Sequence, residues 1–170
     1  MDVWLEEGRF SSSPGTGKAV ETTGCYVVPG FIDVHLHGAG GFDVAGGADS
    51  LRRLAAFLPA TGVTAFLPTL AASSTDQTLA FLEAVAASMA DRRPGSAEIL
   101  GAHLEGPYLN PAYAGAQPRQ HIRRVDLVEA QRLSATGVVR RMTIAPELDG
   151  AEELIRLLTA SGVQVSLGHS

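Results

Sequence analysis

Cysteine, tryptophan, lysine and long apolar runs are all scarce in this chain, and their scarcity excludes several classes of protein. A lone cysteine, Cys25, cannot close an internal disulfide, which favours a reducing compartment. Aromatic residues make up 6% of the sequence and no basic cluster is dense, so the usual nucleic-acid-binding signature is missing. Arg119, Arg123 and Arg124 come nearest, and they read as a solvated loop or helix start. No segment approaches the roughly 18 apolar residues of a membrane span. The opening stretch Met1 to Glu7 is acidic and too poor in apolar residues for a signal peptide. The expectation is a soluble, cytoplasmic protein with neither a nucleic-acid nor a membrane partner.

What is present is an ordinary globular composition, 45% hydrophobic and 18% charged, with a formal charge of -5. Residues 1–28 stand apart. Val3-Trp4-Leu5 reads as a strand, Glu7-Gly8 as a turn, Ser11 to Gly17 as a loop and Gly24 to Val28 as a second strand. Two strands this small cannot bury a core, so 1–28 is expected to be the remnant of a small β domain. From Pro29 the pattern becomes strand and helix in alternation. Phe31, Ile32, Val34 and Leu36 interleave with Asp33, His35 and His37, the pattern of a strand with apolar residues packed on one side. A helix follows over Asp49 to Ala60, then a continuous apolar strand over Val63 to Pro68. Ser74-Thr75-Asp76-Gln77 has capping-box spacing and opens the next helix. Ala97 to Glu105 is a third strand, and a loop from Gly106 to Arg124 is long enough to suggest function. A helix over Val125 to Thr136, a strand over Val138 to Ile144, a helix capped by Asp149 and a strand over Val163 to Ser170 complete the series.

A short repeat ties these units together. Thr61-Gly62-Val63, Thr136-Gly137-Val138 and Ser161-Gly162-Val163 each fall where a helix hands over to a strand. Such alternation predicts an α/β fold with a parallel sheet, either doubly wound or part of an eight-fold barrel.

In a barrel the chemistry gathers at the carboxyl ends of the strands. Those ends carry His35 and His37, then Pro68-Thr69, then His103 and Glu105, then Pro146-Glu147, and finally His169. Four of the five histidines therefore fall at strand ends, a clustering that suits zinc or another divalent first-row metal. His35 and His37 taken alone read more simply as a polar stripe. His103 is either an interior hydrogen-bonded histidine or a substrate-side group. Glu105 at a buried strand end calls for a nearby cation. Asp33 reads as a residue that orients a histidine or pins the strand, and Glu147 as turn chemistry or a ligand by position.

The run Pro29 to Gly38, with its His-x-His, resembles the first-strand signature of the amidohydrolase superfamily of metal-dependent barrel hydrolases. Within it, His103 to Pro111, Ala114 to Gln117, Thr143 to Glu147 and Leu167 to Ser170 resemble the N-acetylglucosamine-6-phosphate deacetylase family, in the same order along 29–170. The resemblance implies a partial (β/α)8 barrel of about five strands over 29–170 and metal-assisted removal of an acetyl group from an amino sugar phosphate. It implies a divalent metal, zinc or iron, on His35, His37, Glu105 and His169, with Ala116 and Gln117 touching substrate. It also implies a homo-oligomeric full-length form. A complete barrel takes about 250 residues. The expectation is accordingly an N-terminal portion whose general-base Asp and further metal His lie beyond Ser170, poorly soluble and inactive alone. Two alternatives stand beside it. A cyclic-amide hydrolase is disfavoured because its bridging lysine has no counterpart here, Lys18 being the only lysine. A non-catalytic remnant folded around a metal is the other.

Overall fold

In the computed structural model, which describes residues 3–6, 8–14 and 17–170, the amino-terminal segment is a hairpin of two short strands. Trp4–Glu6 (β1) pairs antiparallel with Arg9–Ser11 (β2). The second strand expected over Gly24 to Val28 does not form. Those residues are irregular, Cys25 closes a turn onto the Thr22 carbonyl, and Tyr26 is 96% exposed. An apolar run needs a neighbouring strand to pair with, and none lies beside this one among the described residues. The turn expected at Glu7-Gly8 falls partly outside them.

Strand and helix then alternate. After Phe31–Leu36 (β3), a two-residue pair, Gly38–Ala39 (β4) and Phe42–Asp43 (β5), folds the glycine-rich stretch into a small hairpin. Next come Gly47–Phe57 (α1), Val63–Ala71 (β6) and Thr75–Ala90 (α2). The third strand is broken into Glu98–Ile99 (β7) and Ala102–Glu105 (β8). Gly101 sits at the break with a φ of 141° and the Val138 carbonyl 2.6 Å from where a Cβ would stand, so only glycine lets the two backbones approach. Leu127–Ser134 (α3), Val139–Ile144 (β9), Ala151–Ala160 (α4) and Gln164–Leu167 (β10) complete the chain.

The sheet runs β10-β9-β8-β6-β3, all parallel, with β7 also paired to β6. It curls into a half-barrel. Local chemistry explains most of the boundaries. Ser74 and Gln77 form the reciprocal capping box, and Asp126 accepts from the Val128 and Glu129 amides to start α3. α3 is shorter at both ends than the periodicity suggested. Asp149 does not cap α4; Gly150, at φ 82°, takes the N-cap position without a side-chain bond. Gly62, Gly137 and Gly162 all have φ between 76° and 87°, as the helix-to-strand repeat requires.

Each strand divides its residues between two layers. On β8 and β9, Leu104, Met142 and Ile144 join Leu54, Leu82, Leu133, Leu154 and Phe66 in the core between sheet and helices. His103, Glu105, Arg141 and Thr143 alternate with them and face the barrel interior. β3 departs from expectation: Phe31 and Ile32 are 62% and 61% exposed, and only Leu36 of its apolar residues packs on the core. β3 pairs with β6 on one side only, and at this edge the described residues leave Phe31 and Ile32 largely uncovered.

Candidate metal centre

The carboxyl ends of β3, β6, β8, β9 and β10 converge, and Glu105 stands at the middle. It is buried, and three imidazoles meet its two oxygens. His35 Nε2 lies 3.3 Å and His169 Nε2 3.1 Å from Oε1, while His37 Nε2 lies 3.1 Å from Oε2. The Nε2 atoms of His35 and His37 are themselves 3.2 Å apart. The ligand atoms of His35, His37 and Glu105 all lie within 4.8 Å of one another. His169 stands outside that mutual group and reaches Glu105 from the loop side.

The backbone of β3 carries a device that alternation alone does not reveal. Asp33 pairs with Phe66 and Leu36 with Pro68, so β3 holds one more residue than β6 over this span. Such a bulge re-aims side chains beside a site. It stands opposite Pro68, which has no N–H to give to a ladder. Asp33 Oδ1 accepts from the His35 amide at 3.0 Å, pinning the bulged segment. Asp33 thus holds backbone, as read from the sequence, and makes no contact with an imidazole.

Second partners decide which ring nitrogens carry protons. His37 Nδ1 lies 2.8 Å from the Thr69 carbonyl and His169 Nδ1 3.0 Å from the Tyr113 carbonyl. A carbonyl can only accept, so both Nδ1 atoms are N–H and both Nε2 atoms of the neutral rings are lone pairs. Two lone pairs then face a carboxylate at 3.1 Å. That arrangement is repulsive unless a proton or a cation lies between them. The residues present fit a divalent cation by donor type: imidazole and carboxylate are groups that first-row metals take, and His37 and His169 already have an outer hydrogen bond to a carbonyl.

Electrostatics follow the same geometry. Burial pushes the Glu105 carboxyl up, but in the metal-free protein a proton on His169 Nε2, donated to it, and then the neighbouring His35 and His37 outweigh burial and hold it below the usual range. Burial pushes His169 down, yet its bonds to Tyr113 and Glu105 leave it raised. His169 also has a φ of 56°, left-handed backbone that a non-glycine residue rarely adopts. The Asn110 amide donates to its carbonyl at 3.1 Å and helps hold it there.

His103 lies one layer deeper and is 1% exposed. Its Nδ1 meets Thr69 Oγ1 at 3.1 Å and its Nε2 meets Thr143 Oγ1 at 2.8 Å, with the His35 ring edge-on at 4.8 Å between centroids. It is the interior, hydrogen-bonded histidine of the two readings open in the sequence. Burial, then the neighbouring His35, pushes it from 6.5 down to about 4. Below 6.5 the unfolded chain takes up a proton that the folded form refuses until about 4. Stability is therefore full above 6.5 and falls by about 3 kcal/mol as pH drops through this window. Urea unfolding of metal-free protein at several pH values checks this. The acid loss is expected to shrink by that amount in His103→Gln, whose amide can still bridge the two threonines; equal slopes for both proteins contradict it.

Of the remaining residues singled out in the sequence, Ala116 is exposed in the turn that follows Gly115, and Gln117 is buried against Glu105. Glu147 lies in a turn and accepts from Asn110 Nδ2 at 2.7 Å, away from the histidines. Sequence reasoning missed Thr69, Thr143 and the Tyr113 carbonyl as partners of the rings. Thr69 and Thr143 fall at strand ends, which was a usable signal; the carbonyl left none.

Fold and site together define a class, a parallel α/β half-barrel with a donor cluster suited to metal at its strand ends. The chain belongs to the Amidohydrolase family, whose sequence profile matches residues 26–165. It is 35% identical over 185 residues to the N-acetylglucosamine-6-phosphate deacetylase of Bos taurus, covering 99% of this chain and 45% of that protein. It is 34% identical over 178 residues to the N-acetylgalactosamine-6-phosphate deacetylase of Escherichia coli O157:H7, covering 98% and 47%. Among solved structures, the N-acetyl-D-glucosamine-6-phosphate deacetylase of Mycobacterium smegmatis superposes with a TM-score of 0.82 at 30% identity, covering 98% of this chain and 45% of that one. The chain spans about half the length of the curated relatives it matches. No helix among the described residues is long and apolar enough to cross a membrane.

Proposed function

We propose that residues 29–170 form the first part of the active centre of a metal-dependent deacetylase that hydrolyses N-acetylglucosamine 6-phosphate to glucosamine 6-phosphate and acetate. The observation that carries this reading is the convergence of three imidazoles on one buried carboxylate at the strand ends. In two of those rings Nδ1 is already committed to a carbonyl. His35, His37, Glu105 and His169 would hold zinc or iron. When bound, such an ion polarises the amide carbonyl and lowers the pKa of water.

The chain's own groups do the positioning. The Thr69 and Tyr113 carbonyls keep the Nε2 lone pairs of His37 and His169 turned inward, and the buried Glu105 remains ionised to balance the ion's charge. His103 stays neutral between its two hydroxyl partners and so adds no repelling charge beneath the site. Proton transfer from water to the leaving amine needs a further base. Glu105 is committed to three imidazoles and Glu147 to Asn110, so neither is free for it. The base, an aspartate by resemblance, would come from a part of the site outside these 170 residues, and the chain alone would not turn over. Residues 1–28 would be the matching portion of a small β domain.

A second reading concerns the sugar. The galactosamine-6-phosphate deacetylase relative, at 34% identity, falls within the 32–40% range of the glucosamine ones, so the epimer is open to the same test.

Two measurements test the proposal. Purified protein is expected to take up zinc or iron(II), with no acetate release from either N-acetylated amino sugar phosphate. A chimera in which these residues replace the corresponding first part of the Mycobacterium smegmatis relative is expected to release acetate. Absence of metal uptake, or a folded and metal-loaded chimera that spares both sugars, would sink the reading.

A further inference from the structure

Resemblance places Gln117 against substrate, and the structure engages both ends of its amide within the protein. Gln117 is 8% exposed. Its Oε1 accepts from the Ala72 main-chain N–H at 2.8 Å, and its Nε2 donates to Glu105 Oε2 at 2.7 Å. The orientation is determined by chemistry, because a backbone N–H can only donate. The oxygen must face Ala72, which leaves the NH2 facing the carboxylate. Ala72 is buried and directly follows β6, so the anchor belongs to the rigid sheet.

The segment that carries Gln117 is held at both ends. At its start, the Asn110 amide meets the His169 carbonyl at 3.1 Å. At its end, the Arg123 amide closes onto the Pro107 carbonyl at 3.1 Å, and the Arg123 guanidinium grips both oxygens of Glu129 and the Ser73 carbonyl. A side chain on a loop clamped in this way can hold another group still. The carboxylate of Glu105 is divided accordingly: Oε2 is shared by Gln117 and His37, and Oε1 faces His35 and His169.

We propose that Gln117 is a positioning residue for the metal centre: pinned by the Ala72 amide, it holds Glu105 Oε2 and presents Oε1 as the oxygen that takes the ion. The inference rests on the metal-site reading above. Gln117 does not touch the reacting atoms; it acts through Glu105, as outer hydrogen-bond partners of metal ligands do.

The test uses the whole chain, with zinc affinity measured by chelator competition and the visible spectrum of the cobalt(II) form. Gln117→Met keeps the volume and removes both hydrogen bonds. It is expected to weaken zinc binding roughly 10- to 100-fold and to shift the cobalt bands. Gln117→Asn retains the amide but is one methylene too short to span from Ala72 to Glu105, and the same losses are expected should the Met variant fold poorly. Leu154→Ala, a change in the apolar core on α4, is the control for general destabilisation; it is expected to lower the unfolding midpoint and leave affinity and spectrum unchanged. Wild-type affinity and spectrum in the Gln117 variants overturn the inference, as does an equal shift in Leu154→Ala. A wild-type chain that takes up no zinc overturns the metal site itself, and shows it before any substitution is made.

Discussion

Glu105→Ala is expected to abolish metal uptake. Among the described residues Glu105 is the group that all three imidazoles share, and removing it leaves His35 and His37 as a bare pair with His169 on the far side of a gap. The expected readout is bound zinc below roughly a tenth of the wild-type level at concentrations that saturate the wild type, measured on protein freed of loose metal. Linkage supplies a second readout. A ligand at about 100 times its Kd stabilises the folded state by about 2.7 kcal/mol, so zinc should raise the wild-type unfolding midpoint and leave that of the variant where it was. Metal-free stability should fall less, because only the contacts of the carboxylate with the rings and Gln117 are then lost, and not the ion as well. A variant that keeps its zinc and its thermal shift would mean that the imidazoles alone make the site, and the central role given to Glu105 would be wrong.

Glu129→Ala is expected to cost about 3 kcal/mol of stability, the scale of breaking a largely buried ion pair. Glu129 Oε1 and Oε2 accept from Arg123 Nη2 and Nε at 2.7 and 3.0 Å. The carboxylate also accepts from Thr75 at the start of α2 and from the buried Tyr108 hydroxyl. Burial pushes this carboxyl up, and the bonds from Arg123, Thr75 and Tyr108 more than reverse that and hold it low. Burial and the same Glu129 charge push Tyr108 up, so its hydroxyl stays a donor. Removing Glu129 strands a half-buried guanidinium and frees the end of the loop that carries Gln117. Arg123→Met combined with Glu129→Leu is expected to recover most of the loss, since an apolar pair carries no desolvation cost. Urea unfolding reads both. A single-variant loss below about 1 kcal/mol, or a double variant no better than the single, would show that the clamp contributes little.

Much of the architecture was legible because it rests on local rules. The Gly-β-branched handover recurs at three helix ends, and all three glycines adopt the left-handed conformation that the handover needs. Ser74 and Gln77 form the capping box their spacing announced. Where local rules misled, a longer-range partner was missing or intervened. Gly24 to Val28 has the composition of a strand but no described strand to pair with. Asp149 has the identity of a cap, yet the chain enters α4 through the left-handed Gly150. The apolar residues of β3 alternate as a buried face should, and yet stand at an exposed sheet edge.

For the site, the sequence by itself determined the parts: which histidines and which carboxylate fall at strand ends, and that a parallel βα series brings such ends together. Periodicity and turn chemistry are encoded within a few residues, so they can be read along the chain. Tertiary structure alone decided how those parts are partnered. It set His103 apart as a neutral interior ring and assigned the Nδ1 proton of His169 through a carbonyl 56 residues away in sequence. It also turned Gln117 onto Glu105. Each of these depends on a hydrogen bond between distant segments, and the direction of such a bond is fixed only when the backbone groups that donate or accept it are in place.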